Sequence, residues 1–235
     1  MLYPGCMVLT HFPEYEASAR RLLEGLGFEV VEPERFVCCS SVFVPSVSDD
    51  WLTLAAYTLA QAAEHEGVLT LCGTCTAMLR RAVQELESRS TRRRVNSVLS
   101  ELGVEYSETK VMHVLELLDG MMHELEFRRV RRRVAVQNPC NLFVPELSIA
   151  GRDALERLAI ATGAELVRVG DECCGSALML ADEELALRAG RRRLQEAEGA
   201  PYLVACGNCA FLLRKQLGGE VVFFTELAVE ALGLG

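Results

Sequence analysis

Ten cysteines divide into two sets of five, and the second set repeats the spacing of the first. Each member of the second set follows its counterpart by 134 or 135 residues. The ten positions are Cys6, Cys38, Cys39, Cys72 and Cys75, then Cys140, Cys173, Cys174, Cys206 and Cys209. An offset sustained over five positions predicts a duplicated structural unit, so we expect the chain to fold as two related halves.

Other residues share this offset. The stretch "GFEVVEPERFVCCS" parallels "GAELVRVGDECCG", and "QAAEHEGVLTLCGTC" parallels "QEAEGAPYLVACGNC". The first copy carries extra residues at about 86–109, which are interpreted as an added polar helix. We therefore predict two domains, at residues 1–128 and 129–235.

Each copy alternates segments with strand-like and helix-like patterns. In the first copy the pattern predicts helices over 13–26 and 51–65 and from 74, with strands at 28–31 and 68–71 and a final strand and helix. In the second copy it predicts a helix over 153–162 and strands at 133–137, 165–169, 202–205 and 221–224. Strands separated by helices favour parallel sheets, so the predicted fold class is α/β, with two pseudo-symmetric, doubly wound units.

This topology gathers cysteines at one rim of each sheet. Four of them directly follow predicted strands, namely Cys6, Cys72, Cys140 and Cys206. In open α/β sheets the carboxyl ends of the strands form the binding crevice. We expect Cys75 and Cys209 to begin the next helix, where the helix dipole favours a thiolate.

The composition excludes several classes of partner. A formal net charge of −9 and a pI near 5.1 leave no basic face for nucleic acid. No run of apolar residues is long enough to span a membrane, and no basic and apolar leader is present, so we expect a cytoplasmic protein. In a reducing compartment, ten cysteines favour metal or redox roles over disulfides.

The cysteine pattern leaves four interpretations open: an iron–sulfur site, zinc, disulfides in a thermophile, and buried inert thiols. Either CxxC pair alone is weak support for any of them. A zinc site would use four ligands and leave one cysteine in each copy idle. Five thiolates on one rim fit iron–sulfur chemistry better, with a fifth thiol that either bridges two irons or stays free and reactive.

The doubled motif, together with "YPGC" at the start of the chain, resembles the cysteine-rich CCG domain, and the chain is most similar to the B subunit of heterodisulfide reductase. The resemblance implies two non-cubane [4Fe-4S] clusters, each bound by five cysteines. It assigns Cys6, Cys38, Cys39, Cys72 and Cys75 to one cluster. It assigns Cys140, Cys173, Cys174, Cys206 and Cys209 to the other.

The same resemblance implies an oxidoreductase subunit that acts on a disulfide or thiol substrate between the two clusters. It also implies two partner subunits, one ferredoxin-like with [4Fe-4S] clusters and one a flavoprotein, with membrane contact only through a partner. The alternative function is a non-catalytic electron-transfer or quinone-side subunit of a succinate, lactate, glycolate or glycerol-3-phosphate dehydrogenase complex.

The two motifs differ in ways that bear on the sites. Ser40 follows the first cysteine pair where Gly175 follows the second. If this position needs a positive φ, the serine strains the first site, and we expect its cluster to be the more labile. Asn141 follows Cys140 and offers no imidazole proton donor, whereas His113 ends a predicted strand at the cysteine rim.

Overall fold

The computed structural model describes residues 1–40, 44–139 and 153–234. The elements of the first repeat are, in chain order, β1 (Leu2–Tyr3), α1 (Cys6–His11), α2 (Pro13–Gly25), α3 (Asp50–Ala60), β2 (Val68–Thr70), α4 (Gly73–Glu85), α5 (Arg89–Leu99), β3 (Val111–His113) and α6 (Val114–Met121). The elements of the second repeat are β4 (Arg133–Gln137), α7 (Ala154–Ala161), β5 (Glu165–Val167), α8 (Glu183–Glu196), β6 (Tyr202–Val204), α9 (Gly207–Ala210), β7 (Val221–Phe223) and α10 (Phe224–Leu232).

The strands of the described residues form two sheets in which every pairing is parallel, which confirms the predicted α/β class. The first sheet has the order β1-β2-β3, and the second has the order β5-β4-β6-β7. In the second sheet the strand order reverses between β4 and β6, and such a switch point is where open α/β sheets bind ligands. Cys206 lies two residues after the end of β6, beside the end of β4.

Short apolar runs explain why strands β4 and β6 lie in the buried interior of the fold. Val134 and Ala135 on β4 and Tyr202 and Leu203 on β6 are fully buried, as expected for parallel strands covered on both faces. Helix α2 turns Ala19, Leu22 and Leu23 toward the core, and these positions lie on one face at helical spacing.

The last helix of each repeat packs against a helix of the other repeat. Helix α10 of the second repeat packs on α2 of the first, and α6 of the first packs on α7 of the second. The hydroxyls of Ser18 on α2 and Thr225 on α10 are 2.6 Å apart. The guanidinium of Arg157 on α7 pairs with the carboxylate of Asp119 on α6 at 2.6 Å. The two halves therefore share a core.

Some predicted elements differ from the structure. Residues 28–31 form no regular strand; they lie beside the two-residue β1, and Leu2 N donates to Val31 O at 2.8 Å. Helix α3 ends at Ala60 instead of residue 65, and the following residues form turns. The sequence reasoning also missed α1, which begins at Cys6 after Gly5 has turned the chain at a φ of 92°.

The added segment of the first repeat contains α5, as predicted. Ser88 caps this helix by accepting from Thr91 N, and only Val95 and Leu99 are buried along it. No helix within the described ranges is long and apolar enough to cross a membrane.

Candidate metal centres

Nine of the ten predicted ligands lie within the described residues, and Cys140, with the Asn141 that follows it, lies outside them. In the first repeat the five thiols form a row of sulfur contacts. Cys6 Sγ lies 3.7 Å from Cys38 Sγ, and Cys38 contacts Cys39. Cys75 continues the row, because its thiol is hydrogen-bonded to both Cys39 and Cys72.

The second repeat shows the same order. Cys173 contacts Cys174, and Cys174 Sγ donates to Cys209 Sγ at 3.3 Å. Cys209 in turn is hydrogen-bonded to Cys206. The structure thus brings together the described members of each predicted set in equivalent arrangements.

The two rows meet between the repeats. Cys72 Sγ lies 3.7 Å from Cys206 Sγ, and Asn208 Nδ2 donates to Thr74 Oγ1 at 2.9 Å. Both pairs join positions that are 134 residues apart, so each residue contacts its own counterpart. Contacts between equivalent positions are the mark of a twofold interface, here formed within one chain.

Burial increases toward this junction. Cys38 and Cys173 are exposed and Cys6 is half-buried, whereas the other six described cysteines are at most 3% exposed. The nine thiols therefore form one continuous row that runs from the surface through the buried junction and out to the surface again.

The residue after each cysteine pair has a positive φ, which is the condition under which the serine was expected to strain the first site. Ser40 has a φ of 70° and Gly175 a φ of 94°. A Cβ at Gly175 would lie 2.8 Å from Ala186 O, so only glycine fits there. Ser40 adopts the same region with a side chain, and its buried hydroxyl has no hydrogen-bond partner among the described residues.

Gly5 makes room for the first set of thiols. Its φ is 92°, and a Cβ at this position would lie 2.8 Å from Cys75 Sγ. The glycine of "YPGC" therefore allows the chain that leads into Cys6 to pass close to a second candidate ligand.

The thiols polarise one another within the row. Hydrogen bonds from Cys39 and Cys6 lower the pKa of Cys38 to about 2, and the shared bond raises the pKa of Cys6. Cys38 is also exposed and accepts from the Ser40 backbone, which lowers its pKa further. At the junction, hydrogen bonds from Cys209 and Cys72 lower the pKa of Cys206.

The predicted thiolate character of Cys75 and Cys209 is wrong for the protein chain by itself. Both do lie in the first turn of a helix, after Cys72 and Cys206 at the N-caps. Their pKa values are nevertheless raised, first by hydrogen bonds to neighbouring thiols and then by burial. These local contacts outweigh the helix dipole, whose effect is typically below about 1 kcal/mol.

His113 is fully buried at the rim, as the sequence suggested. Its Nδ1 accepts from Leu115 N at 3.0 Å and so caps α6, while Glu116 accepts from His113 N at 2.7 Å. Burial lowers the pKa of His113 to about 4, so the ring is neutral at physiological pH. Its role in the structure is that of a helix cap.

The donor set fits a group with several metal atoms better than a single ion. No three histidine, cysteine or acidic side chains in the described residues converge on one position for a metal ion. A single zinc needs four ligands around one point, whereas an extended row of thiols suits a group that offers several irons. Disulfides are absent among the nine described cysteines.

The sequence reasoning missed the side chains that hold the cysteine loops. Tyr3 and Gln137 end β1 and β4, each three residues before the first cysteine of its repeat. Their equivalent positions in the two copies could have identified them. They were overlooked because tyrosine and glutamine are chemically different.

The chain matches the CCG family, described as a cysteine-rich domain, over residues 1–80 and 134–214. These two segments cover more than half of the chain and contain every cysteine. The chain therefore belongs to the CCG cysteine-rich domain family.

Among curated proteins, the chain is 30% identical to the B subunit of the ferredoxin/F(420)H(2)-dependent CoB-CoM heterodisulfide reductase of Methanosarcina acetivorans, over 74% of its own length and 64% of that protein. It is 27% identical to the B subunit of the ferredoxin:CoB-CoM heterodisulfide reductase of Methanosarcina mazei, over 98% of this chain and 85% of that one. It is also 29% identical to the membrane anchor subunit of the 8-methylmenaquinol:fumarate reductase of Wolinella succinogenes, over 79% and 70%.

A solved structure, that of a hypothetical protein from Helicobacter pylori, has the same fold. It superimposes with a TM-score of 0.82 at 14% identity and covers 99% of this chain but 48% of that one. The relatives' names and the two CCG matches support an iron–sulfur oxidoreductase subunit with an electron-transfer role.

Proposed function

We propose that this chain is the catalytic iron–sulfur subunit of a heterodisulfide-reductase-like complex. The observation that carries the proposal is the continuous row of nine thiols, in which two equivalent sets meet at the contact between Cys72 and Cys206. Reduction of a disulfide to two thiols takes two electrons and two protons. Two equivalent sites related by a twofold axis suit such a reaction, because each site can supply one electron.

In this proposal the ligands of the first non-cubane [4Fe-4S] cluster are Cys6, Cys38, Cys39, Cys72 and Cys75. The ligands of the second are Cys140, Cys173, Cys174, Cys206 and Cys209. When bound, the clusters supply one-electron transfer and iron atoms that accept sulfur. The chain orients the thiols, excludes water from the junction and holds each cysteine pair in a left-handed turn.

The remaining parts of the proposal follow from the relatives and the cysteine content. The two units are residues 1–128 and 129–235. The substrate is a disulfide or, in the reverse direction, a pair of thiols. A ferredoxin-like partner with [4Fe-4S] clusters and a flavoprotein partner deliver the electrons in a cytoplasmic complex, since ten cysteines suit a reducing compartment.

A second candidate is a non-catalytic electron-transfer subunit on the quinone side of a dehydrogenase or reductase. The similarity to the membrane anchor of the 8-methylmenaquinol:fumarate reductase favours it. The same two clusters would then relay electrons without binding a disulfide.

Metal analysis tests the shared basis of both functions. Protein prepared without oxygen should carry about eight iron atoms per chain, as two four-iron clusters require. Cys174→Ala should lose the second cluster and about half of the iron while the first repeat keeps its own. Ser176→Ala, next to the second pair, is the control and should keep all the iron. Full zinc occupancy without iron would exclude both candidates.

Turnover separates the two candidates. A catalytic subunit should reduce a mixed disulfide with an artificial one-electron donor, and the Cys174→Ala variant should not. If the iron-loaded wild type reduces no disulfide but transfers electrons to a quinone-linked partner, the second candidate is correct.

A further inference from the structure

The two cysteine pairs lie in loops without regular secondary structure. Residues 36–40 and 168–174 belong to no helix or strand. Such segments are the most mobile parts of a fold unless side chains fix them. Because ligands of a rigid cluster have to be held in place, the contacts that fix these two loops bear directly on the site.

Tyr3 holds the first loop. Its hydroxyl donates to Val37 O at 2.7 Å, which is the carbonyl directly before Cys38. The side chain is fully buried, and its ring stacks on Phe36 with a centroid distance of 4.9 Å. The last residue of β1 therefore ties the rigid sheet to the residue that precedes the cysteine pair.

Gln137 does the same in the second repeat. Its Nε2 donates to Glu172 O at 3.0 Å, which is the carbonyl directly before Cys173. Gln137 is the counterpart of Tyr3 at an offset of 134, and Glu172 is the counterpart of Val37 at an offset of 135. The cysteines themselves have these two offsets. Two different side chains thus reach the equivalent carbonyl from the equivalent strand position.

A buried arginine orients the glutamine. Arg193 on α8 donates from Nε to Gln137 Oε1 at 2.9 Å, and its side chain is 1% exposed. Burial of a guanidinium is costly unless it is paired, and Glu196 provides the pairing charge. With its oxygen engaged by Arg193, the amide of Gln137 has to present its NH₂ group to Glu172 O.

We propose that Tyr3 and Gln137 are positioning residues, each of which fixes the cysteine pair of its own repeat through the carbonyl before that pair. Arg193 is a positioning residue for Gln137. The inference rests on the proposed function, in which these pairs are cluster ligands. It implies that each cysteine loop can be loosened independently of the other.

We call the hydrogen bonds from Tyr3 to Val37 O and from Gln137 to Glu172 O the clamps of the two loops. Alkylation of the iron-free, reduced protein tests these clamps without any cluster. Cys39 and Cys174 are each 3% exposed, so they react with iodoacetamide only when their loop opens. Tyr3→Phe deletes one hydroxyl and keeps the ring stack, and it should speed alkylation of Cys39 about fivefold, as the loss of one buried hydrogen bond allows. Gln137→Glu keeps an acceptor for Arg193 and should speed alkylation of Cys174 to a similar degree.

The two variants control for each other, because each should leave the buried cysteine of the other repeat at the wild-type rate. Tyr106→Phe removes a hydroxyl from a buried tyrosine elsewhere in the first repeat and should change neither rate. Wild-type rates in both clamp variants would overturn the proposal, and so would equal acceleration of both cysteines, which indicates general loosening.

Spectroscopy of the iron-loaded protein adds a readout that overall stability would not change. Tyr3→Phe should alter the paramagnetic signal of the first cluster only, and Gln137→Glu that of the second only. If iron never binds but alkylation changes as expected, the clamps stand and the proposed function fails. If iron binds and neither the rates nor the signals change, the clamps fail and the proposed function stands.

Discussion

At the scale of single residues, Ser40 and Gly175 show how a duplicated motif diverges under one conformational demand. Both adopt a positive φ, which is unfavourable for residues with a Cβ by roughly 1–2 kcal/mol. Ser40 adopts this conformation with a side chain, whereas a Cβ at Gly175 would come too close to Ala186 and Ala189.

The expected effects of substitution are opposite in the two loops. Ser40→Gly should raise the free energy of unfolding by about 1 kcal/mol, because it relieves the strain at φ 70°. Gly175→Ala should lower it by more than that, because its Cβ would lie 2.8 Å from Ala186 O and 2.9 Å from Ala189 Cβ. Urea denaturation measures both changes.

Gly199→Ala is the matched control, since Gly199 has a φ of 79° and open space around it. Gly199→Ala should lower the free energy of unfolding by less than Gly175→Ala does. In the iron-loaded protein the same strain predicts that the first cluster is lost to oxygen before the second and that Ser40→Gly slows this loss. Equal decay of both clusters in the wild type would contradict this role of Ser40.

At the scale of elements, the β3–α6 corner links the sheet to the helix that crosses to the other repeat. His113 caps α6 through a neutral ring, and its counterpart at the β7–α10 corner is Phe223. The sequence placed His113 at the rim but did not distinguish a cap from a ligand, since a buried acceptor is defined by the neighbours that the fold supplies.

This cap predicts a pH-dependent stability. The pKa of His113 falls from 6.5 in an unfolded chain to about 4 in the fold, because burial outweighs the attraction of Cys72. The unfolded state therefore binds a proton first, and stability is lost as the pH falls below 6.5. The loss should reach about 2 kcal/mol at pH 5.

His113→Asn isolates this contribution, because asparagine keeps a capping oxygen and does not titrate. Urea unfolding of both proteins between pH 7 and pH 5 should show the steeper decline in the wild type. Carboxylates and the nearby Arg80 are common to both proteins and cancel in the difference. Parallel pH profiles would show that His113 is not the group responsible.

At the scale of the whole molecule, the repeats are joined by aromatic side chains that pack across their junction. Phe223 is fully buried and stacks on Tyr15 of α2 at 4.1 Å. The ring of Phe12 also contacts the ring of Phe223, with a centroid distance of 5.3 Å. A core shared in this way implies that neither half keeps its packing without the other.

Phe223→Ala should lower the free energy of unfolding by about 3–5 kcal/mol, the usual cost of truncating a buried aromatic ring. Both repeats should still unfold in a single transition, as followed by hydrogen exchange at β2 in one half and β6 in the other. Phe28→Ala, at a half-buried site within the first repeat, should lower the free energy of unfolding by less than Phe223→Ala does. Separate transitions for the two sheets would refute the shared core.

Much of the fold and of the candidate site could be predicted because the relevant signals are local or repeated. Strand β4 spans residues 133–137, as its pattern predicted, and the offset between the two cysteine sets indicated a duplicated unit. The segment 28–31 failed as a strand because its partner β1 is two residues long, which the apolar pattern does not reveal.

By itself the sequence determined that there are two related parallel α/β units and that four of the cysteines follow strands at one rim, and it identified Ser40 and Gly175 as equivalent positions after the two cysteine pairs. Only the tertiary structure decided that Cys72 meets Cys206, that α6 and α10 cross between the repeats, and that Tyr3 and Gln137 fix the cysteine loops. The physical reason is that local patterns encode backbone conformation and the buried face of each element. Contacts between residues far apart in the chain depend instead on how the two halves dock, which no spacing within one half specifies.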